Sequence, residues 1–291
     1  MRATGLPRYK HSMSISGRTR IVGIIGDPVE HSLSPAMHNA AFRALELDYV
    51  YVAFHVRPLA LRAAVAGIRA LGIAGMNVTV PHKERIVRML DSVSAMGRRV
   101  GAINTIVNRN GRLHGENTDV IGVSAALREA KFQVRGARVL VIGAGGGARA
   151  VLAALADGKA AAATVANRTA RRAKALARRP ATGHIQTVAT GLGSLEDTDL
   201  LATVDMVINT TSVGLHGGPF LPLAYAATPR RCLFFDLVYG ATGFLAAAAA
   251  AGRNTLDGSS MLLHQGAAAF TLWTGHPAPL AVMHRALRRA R

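Results

Sequence analysis

The sequence predicts an α/β fold in two units. Three observations carry this: apolar runs alternate with segments of helical period from residue 21, a glycine-rich turn follows a strongly apolar run near the middle, and two closing helices are too few to form a unit of their own. At 291 residues the chain lies between one large domain and two ordinary ones.

Element by element, IVGIIG reads as a strand, Ser34 to Leu47 as a helix, YVYVAFHV as a second strand, and the residues after Pro58 as a second helix. GIAGMNVTV is strand-like. Pro81 is expected to open a helix, because its fixed φ suits a first helical turn, and Ala102 to Val107 is expected to be extended. A second unit begins after Asp119, where Val120, Val123, Leu127 and Ala130 recur at helical spacing and lead into the strand ARVLVIG. There follow a Gly-rich turn, a helix, the strand ATVANR, another helix, and the strands VDMVINT and CLFFDLVY. Helices over 257–274 and 278–290 close the chain and are expected to pack on the first unit.

Composition narrows the function classes. Half the residues are hydrophobic, yet no uninterrupted apolar run approaches the roughly 18 residues needed to span a bilayer, so no membrane partner is expected. The first 20 residues hold five Lys or Arg and no acid but lack the apolar centre of a secretory signal. Residues 1–18 are expected to be a disordered leader. The single cysteine, Cys232, has no partner for an internal disulfide, which suits a reducing, cytoplasmic setting. The net charge of +19 would attract any polyanion, from nucleic acid to a phosphorylated small molecule, and does not choose among them. No histidine shows metal-ligand spacing, and no metal is predicted.

The segment GAGGGARA, Gly143 to Ala150, follows a strand and opens a helix, matching G-x-G-x-x-A through Gly143, Gly145 and Ala148. Such a turn lets pyrophosphate oxygens reach backbone N–H groups at a helix N-terminus, where the dipole also favours an anion. The next strand ends in Asn167, Arg168 and Thr169 instead of the carboxylate that would bind a ribose 2′-hydroxyl. With Arg168 and Arg172 one helical turn apart, the site suits a 2′-phosphate, because guanidinium binds phosphate bidentately. NADP(H) is therefore expected over NAD. Arg178 and Arg179 read as a solvated basic helix face.

Beyond this turn the chain resembles the shikimate dehydrogenase family. The likeness runs through HSLSPAMHNAAF at 31–42, NVTVPHK at 77–83, GAINT at 101–105 and NTD at 117–119, then GAGG at 143–146 and NRT at 167–169. It continues through INTTSVG at 208–214, DLVYG at 236–240 and DGSSMLLHQGAAAF at 257–270, covering nearly everything from Thr19 onward. Several blocks in one order are far more specific than any one of them.

The resemblance implies an N-terminal open α/β substrate domain, residues 19–119 completed by 256–291, and a Rossmann-like NADP-binding domain over 120–255, with the active site in the interdomain cleft. It implies reversible NADPH-dependent reduction of 3-dehydroshikimate to shikimate on the route to chorismate, by a monomer or homodimer. Lys83 and Asp119 become the catalytic pair, Lys83 meeting the oxygen where charge develops and Asp119 orienting it. Ser32 and Ser34 would bind the substrate carboxylate, Thr79, Asn104, Asp119 and Gln265 the ring hydroxyls, and Tyr239 would lie near the substrate. The cofactor would meet Gly143, Ala144, Gly145, Gly146, Gly147 and Ala148, then Asn167, Arg168, Thr169 and Arg172, then Thr210, Ser212 and Gly258.

Taken singly, these residues have plainer readings. Lys83 is one of 35 basic residues and would be a solvated lysine; Asp119 would cap the helix that follows it; Ser32 and Ser34 would cap the helix after Pro35. Two departures from the family pattern stand out. Val120 replaces a common glycine and is expected to narrow the hinge or the cofactor's approach, and GATGFL after Tyr239 lacks the usual Asn-Pro. The competing readings are a quinate or quinate/shikimate dehydrogenase and a non-catalytic, ligand-binding regulator. Nucleic acid is not the expected partner, because Lys83 and Asp119 are both present.

Overall fold

The computed structural model describes residues 15–214 and 218–290. Residues 1–14 of the expected leader lie outside the described residues; 15–18 form a turn in which the Ser16 amide donates to Thr19 Oγ1, and Thr19 Oγ1 donates to Asp48 at 2.6 Å.

Two six-stranded sheets organise the chain. The first holds β1 (Arg20–Gly26), β2 (Tyr49–His55), β3 (Gly75–Val78), β4 (Ser92–Val93), β5 (Thr105–Arg109) and β6 (Arg112–Glu116), in the order β2-β1-β3-β5-β6-β4. Helices α1 (Ser34–Ala44), α2 (Leu61–Ala70) and α3 (Ala95–Val100) connect them. β2, β1 and β3 are parallel, whereas β5 runs antiparallel to both β3 and β6. The Asn39 side chain donates to Tyr51 O and accepts from Tyr51 N, covering part of the β2 edge that would otherwise offer unpaired backbone groups.

Helix α4 (Asp119–Glu129) leads into the second sheet. There β7 (Arg138–Ile142), β8 (Ala162–Ala166), β9 (Gln186–Thr190), β10 (Met206–Asn209), β11 (Leu233–Asp236) and β12 (Asn254–Leu256) lie in the order β12-β11-β10-β7-β8-β9, every pair parallel. α5 (Gly146–Asp157), α6 (Ala170–Ala177), α7 (Thr198–Leu201) and α8 (Gly243–Ala250) are its helices. Val139 to Ile142 are buried almost completely, as expected of a parallel strand covered on both faces.

The closing helices α9 (Ser259–Thr274) and α10 (Leu280–Arg289) return to the first sheet. Phe270 and Trp273 of α9 and Met283 and Leu287 of α10 share a core with Val22, Met37 and Phe42. Trp273 Nε1 donates to Ile106 O at 2.9 Å, and its indole fills the space beside Gly75, where any Cβ would stand 2.1 Å from that nitrogen.

Three expectations are corrected. The segment after Pro81 is a series of turns followed by a short 3₁₀ stretch, Ile86–Met89, with no α-helix. The Lys83 carbonyl accepts from Ile103 N at 2.8 Å, so a helical ladder is interrupted where the segment is tied to the sheet. Val120 does not line the cleft: it is buried in the core with Val100, Ala102 and Met261. Arg179 is not a solvated face residue either; it is half-buried, with its guanidinium against Gly101. The missing Asn-Pro after Tyr239 has a local substitute. Thr242 caps α8 by accepting from Leu245 N and donates to buried Asp236 at 2.7 Å.

Candidate active site

In each sheet the strand order reverses beside the first strand of the unit, between β1 and β3 in one and between β7 and β10 in the other. Crevices open at the carboxyl ends of strands at such reversals. Here the two crevices face each other and merge into one cleft of about 550 Å³.

On the first-domain wall Lys83 Nζ donates to Asp119 Oδ2 at 2.7 Å, with side-chain exposures of 17% and 4%. Asp119 is the first residue of α4 and caps nothing; Val120 N donates to Asn117 Oδ1, and both Asp119 carboxylate oxygens are left for other partners. Asn104 Nδ2 donates to Asp119 Oδ1 at 2.9 Å and to Gln265 Oε1 at 3.2 Å, while Asn104 Oδ1 accepts from Thr118 N. Below them Asn77 Nδ2 donates to Asn104 O and Thr105 Oγ1, and Asn77 Oδ1 accepts from Tyr51 OH. These buried polar groups are satisfied by one another, which holds the cleft-facing atoms still.

At one end of this wall Ser34 N donates to Ser32 Oγ, and neither serine hydroxyl makes a side-chain cap on α1. From the opposite side Tyr239 reaches across and donates its hydroxyl to His31 O at 3.0 Å. Burial raises the Tyr239 pKa, so it is a neutral donor.

The second wall is backbone. Gly143 has φ +112, and a Cβ there would stand 2.5 Å from Thr210 Oγ1, so glycine alone permits the turn that leads from β7 into α5 close against the end of β10. Gly145, the cap residue of α5, has nothing within 4 Å of a Cβ position and faces open cleft. A Cβ on Gly146 would lie 3.2 Å from Lys83 Cβ, so the two walls meet where the lysine stem crosses the glycine turn.

Similarity to known proteins agrees with this geometry. The shikimate dehydrogenase substrate-binding domain matches residues 24–106, the shikimate/quinate 5-dehydrogenase model 125–216, and the shikimate 5′-dehydrogenase C-terminal domain 258–288. A shikimate dehydrogenase (NADP⁺) of Moorella thermoacetica is 46% identical over 285 residues, 96% of each chain. The chain belongs to the shikimate dehydrogenase family. Among solved members, a shikimate 5-dehydrogenase of Thermus thermophilus in complex with NADP(H) and shikimate superposes with a TM-score of 0.82 at 37% identity, covering 94% of this chain and 100% of the other. Quinate dehydrogenase of Corynebacterium glutamicum in complex with NAD is more distant in sequence, 30% identical with a TM-score of 0.83 over 93% and 99% of the two chains.

Against the family pattern, Lys83, Asp119, Ser32, Ser34, Thr79, Asn104, Tyr239 and Gln265 all line this cleft, as do Gly145, Gly146, Gly147, Arg172, Thr210, Ser212 and Gly258. The remaining expected cofactor residues do not. Ala144 and Ala148 are buried in the core, where a small side chain lets α5 sit close on the sheet. Asn167 holds its own loop by donating to Thr169 O at 3.0 Å, and Arg168 and Thr169 are exposed at the end of β8. Sequence reasoning missed Asn77 and Glu84. Both sit inside or beside NVTVPHK, but their importance depends on partners distant in the chain: Tyr51 for Asn77, Arg149 and Arg172 for Glu84.

Proposed function

We propose that this chain catalyses the reversible NADPH-dependent reduction of 3-dehydroshikimate to shikimate, with Lys83 and Asp119 as the reacting pair. The observation that carries the reading is the 2.7 Å Lys83–Asp119 bond on a polar wall that abuts the glycine turn at Gly146. Residues 19–119 with 256–291 would hold the substrate, and 120–255 the cofactor.

The residues present fit NADP(H). Gly145 leaves open space at a helix N-terminus, Gly146 and Gly147 line the same cleft, and the end of β8 carries Arg168 and, one turn on, Arg172, with no carboxylate. When bound, the cofactor supplies the hydride. The chain supplies the rest. Lys83 Nζ directs its protons at the ring oxygen where negative charge develops and hands one over, while Asp119 fixes the ammonium's position. Asn104 and Gln265, joined to Asp119 through Asn104 Nδ2, offer hydrogen bonds to ring hydroxyls together with Thr79. Ser32 and Ser34 present hydroxyls to the carboxylate, and Tyr239 closes that end by its bond to His31 O. A cytoplasmic setting belongs to the same reading and rests on the lone, buried Cys232.

The test is initial-rate oxidation of shikimate and of quinate, each with NADP⁺ and with NAD⁺. Shikimate with NADP⁺ is expected to exceed the other pairs by about tenfold or more in kcat/KM, or ~1.4 kcal/mol of transition-state preference. A win for quinate or NAD⁺ overturns the assigned specificity; no turnover with any pair overturns the enzymatic reading.

A further inference from the structure

Glu84 follows Lys83 directly and sits on the cleft lining beneath the glycine turn. Its two oxygens are used differently. Oε2 accepts from Arg149 Nη2 of α5, and Arg149, 13% exposed, also donates through Nη1 to Gly101 O at 2.8 Å. Oε1 stands 3.7 Å from Arg172 Nη2 of α6, beyond hydrogen-bond distance, and Arg172 is 58% exposed. One carboxylate thus has a firm, half-buried contact with one arginine and a loose, solvated contact with another.

The surroundings are unbalanced in charge. Burial, together with Arg179 and Arg172, pushes the Arg149 pKa down, and Glu84 is the carboxylate that opposes this. The Nε atoms of Arg149 and Arg179 are buried without a partner. Glu84 is therefore the counter-ion for a cluster of guanidinium groups at the cleft, one of which, Arg172, lies in the first turn of the helix that follows β8 and lines the cleft.

We propose that Glu84 is a placeholder anion for Arg172, and so a specificity-determining residue: it holds this guanidinium in the cleft until the 2′-phosphate of a phosphorylated adenosine takes it, while Arg149 keeps Glu84 and the Lys83 segment in place. This rests on the reading of Arg172 as a 2′-phosphate ligand. A phosphate carries about −1.5 to −2 charge at neutral pH against one on a carboxylate, so it displaces the loose contact and not the firm one. An adenosine without that phosphate leaves the Glu84–Arg172 pair intact and gains nothing from Arg172.

The test measures binding by calorimetry, with adenosine 2′,5′-bisphosphate and adenosine 5′-monophosphate as probes, on the full-length chain. The quantity read is the ratio of the two dissociation constants, which cancels general effects on nucleotide binding. In Glu84→Gln the preference for the bisphosphate is expected to rise about two- to fivefold, the range of one exposed ion pair, and the rise is expected to disappear in Glu84→Gln/Arg172→Ala. An unchanged or reduced preference in Glu84→Gln overturns the proposal, as does a rise that persists without Arg172. If Arg172→Ala lowers the preference while Glu84→Gln leaves it alone, the 2′-phosphate reading stands and only the placeholder fails. If Arg172→Ala changes nothing, both fall.

Discussion

The two walls of the cleft are built by opposite means. The first-domain wall is made of side chains that bond to one another out of water: Lys83, Asp119, Asn104, Gln265 and Asn77 form one buried network. The second wall is made of backbone at Gly145 to Gly147, with exposed Arg172 beside it and one carboxylate, Glu84, shared between Arg172 and half-buried Arg149. Buried networks are rigid before any ligand arrives, and losing one member leaves the others unpaired. Exposed ion pairs are weak, salt-sensitive and exchangeable. The contrast suits a wall that must position reacting atoms facing one that must accept and release a charged carrier.

The largest effect should follow from breaking the rigid wall at its reacting end. Lys83→Ala is expected to lower kcat by about 10²- to 10⁴-fold, the range of a general acid–base contribution, with shikimate still bound in calorimetry. A loss confined to KM would place Lys83 in binding alone.

Next comes the core behind that wall. His38 is fully buried, stacked on Tyr51 at 4.5 Å, and loss of hydration pushes its pKa down to about 3 from 6.5. Below its ordinary pKa the unfolded chain takes a proton that the folded chain refuses, so this contribution is complete above about pH 6.5 and is lost as pH falls towards 3. Denaturant unfolding should show about 3 kcal/mol less stability from this group at pH 4 than at pH 7. His38→Leu should flatten that slope, and an unchanged slope would show that other groups set the acid limit.

A smaller effect tests where the walls touch. Gly146→Ala forces the Lys83 stem to give by a few tenths of an ångström, since the new Cβ meets Lys83 Cβ at 3.2 Å. About a tenfold fall in kcat/KM is expected, with little change in Tm, because the backbone there needs no positive φ. Equal loss of Tm and activity would instead mark Gly146 as a packing residue.

The smallest effect belongs to the exposed wall. Arg172→Ala should raise KM for NADP⁺ by about five- to tenfold at low ionic strength and by less at high salt, leaving KM for shikimate alone. Insensitivity to salt would show that Arg172 does not act through charge.

Much of this contrast was legible in the residues. The glycine turn announces itself because close backbone approach demands missing Cβ atoms at a strand-to-helix junction. Asn167–Thr169 shows no carboxylate where one would repel phosphate, but of the arginines it introduces only Arg172 lines the cleft. Other features left no such mark, and the hairpin of β5 and β6 was overlooked despite one: Asn110 and Gly111, with φ of 54° and 82°, form the Asn-Gly turn that often joins paired strands. The helix expected after Pro81 failed for a reason no local pattern holds, the pull of Ile103 N on the Lys83 carbonyl.

The sequence by itself determined the two-unit α/β plan and the glycine turn between β7 and α5, and it picked out Lys83, Asp119, Asn104 and Gln265, which line one cleft, since each depends on residue types at short spacing or on blocks in a fixed order. Only the tertiary structure decided that Asn104 ties Asp119 to Gln265, that Val120 belongs to the core, and that Glu84 stands between Arg149 and Arg172. These are contacts between elements far apart in the chain. Their strength is set by burial and by charge across the cleft, and neither exists until the two sheets face each other.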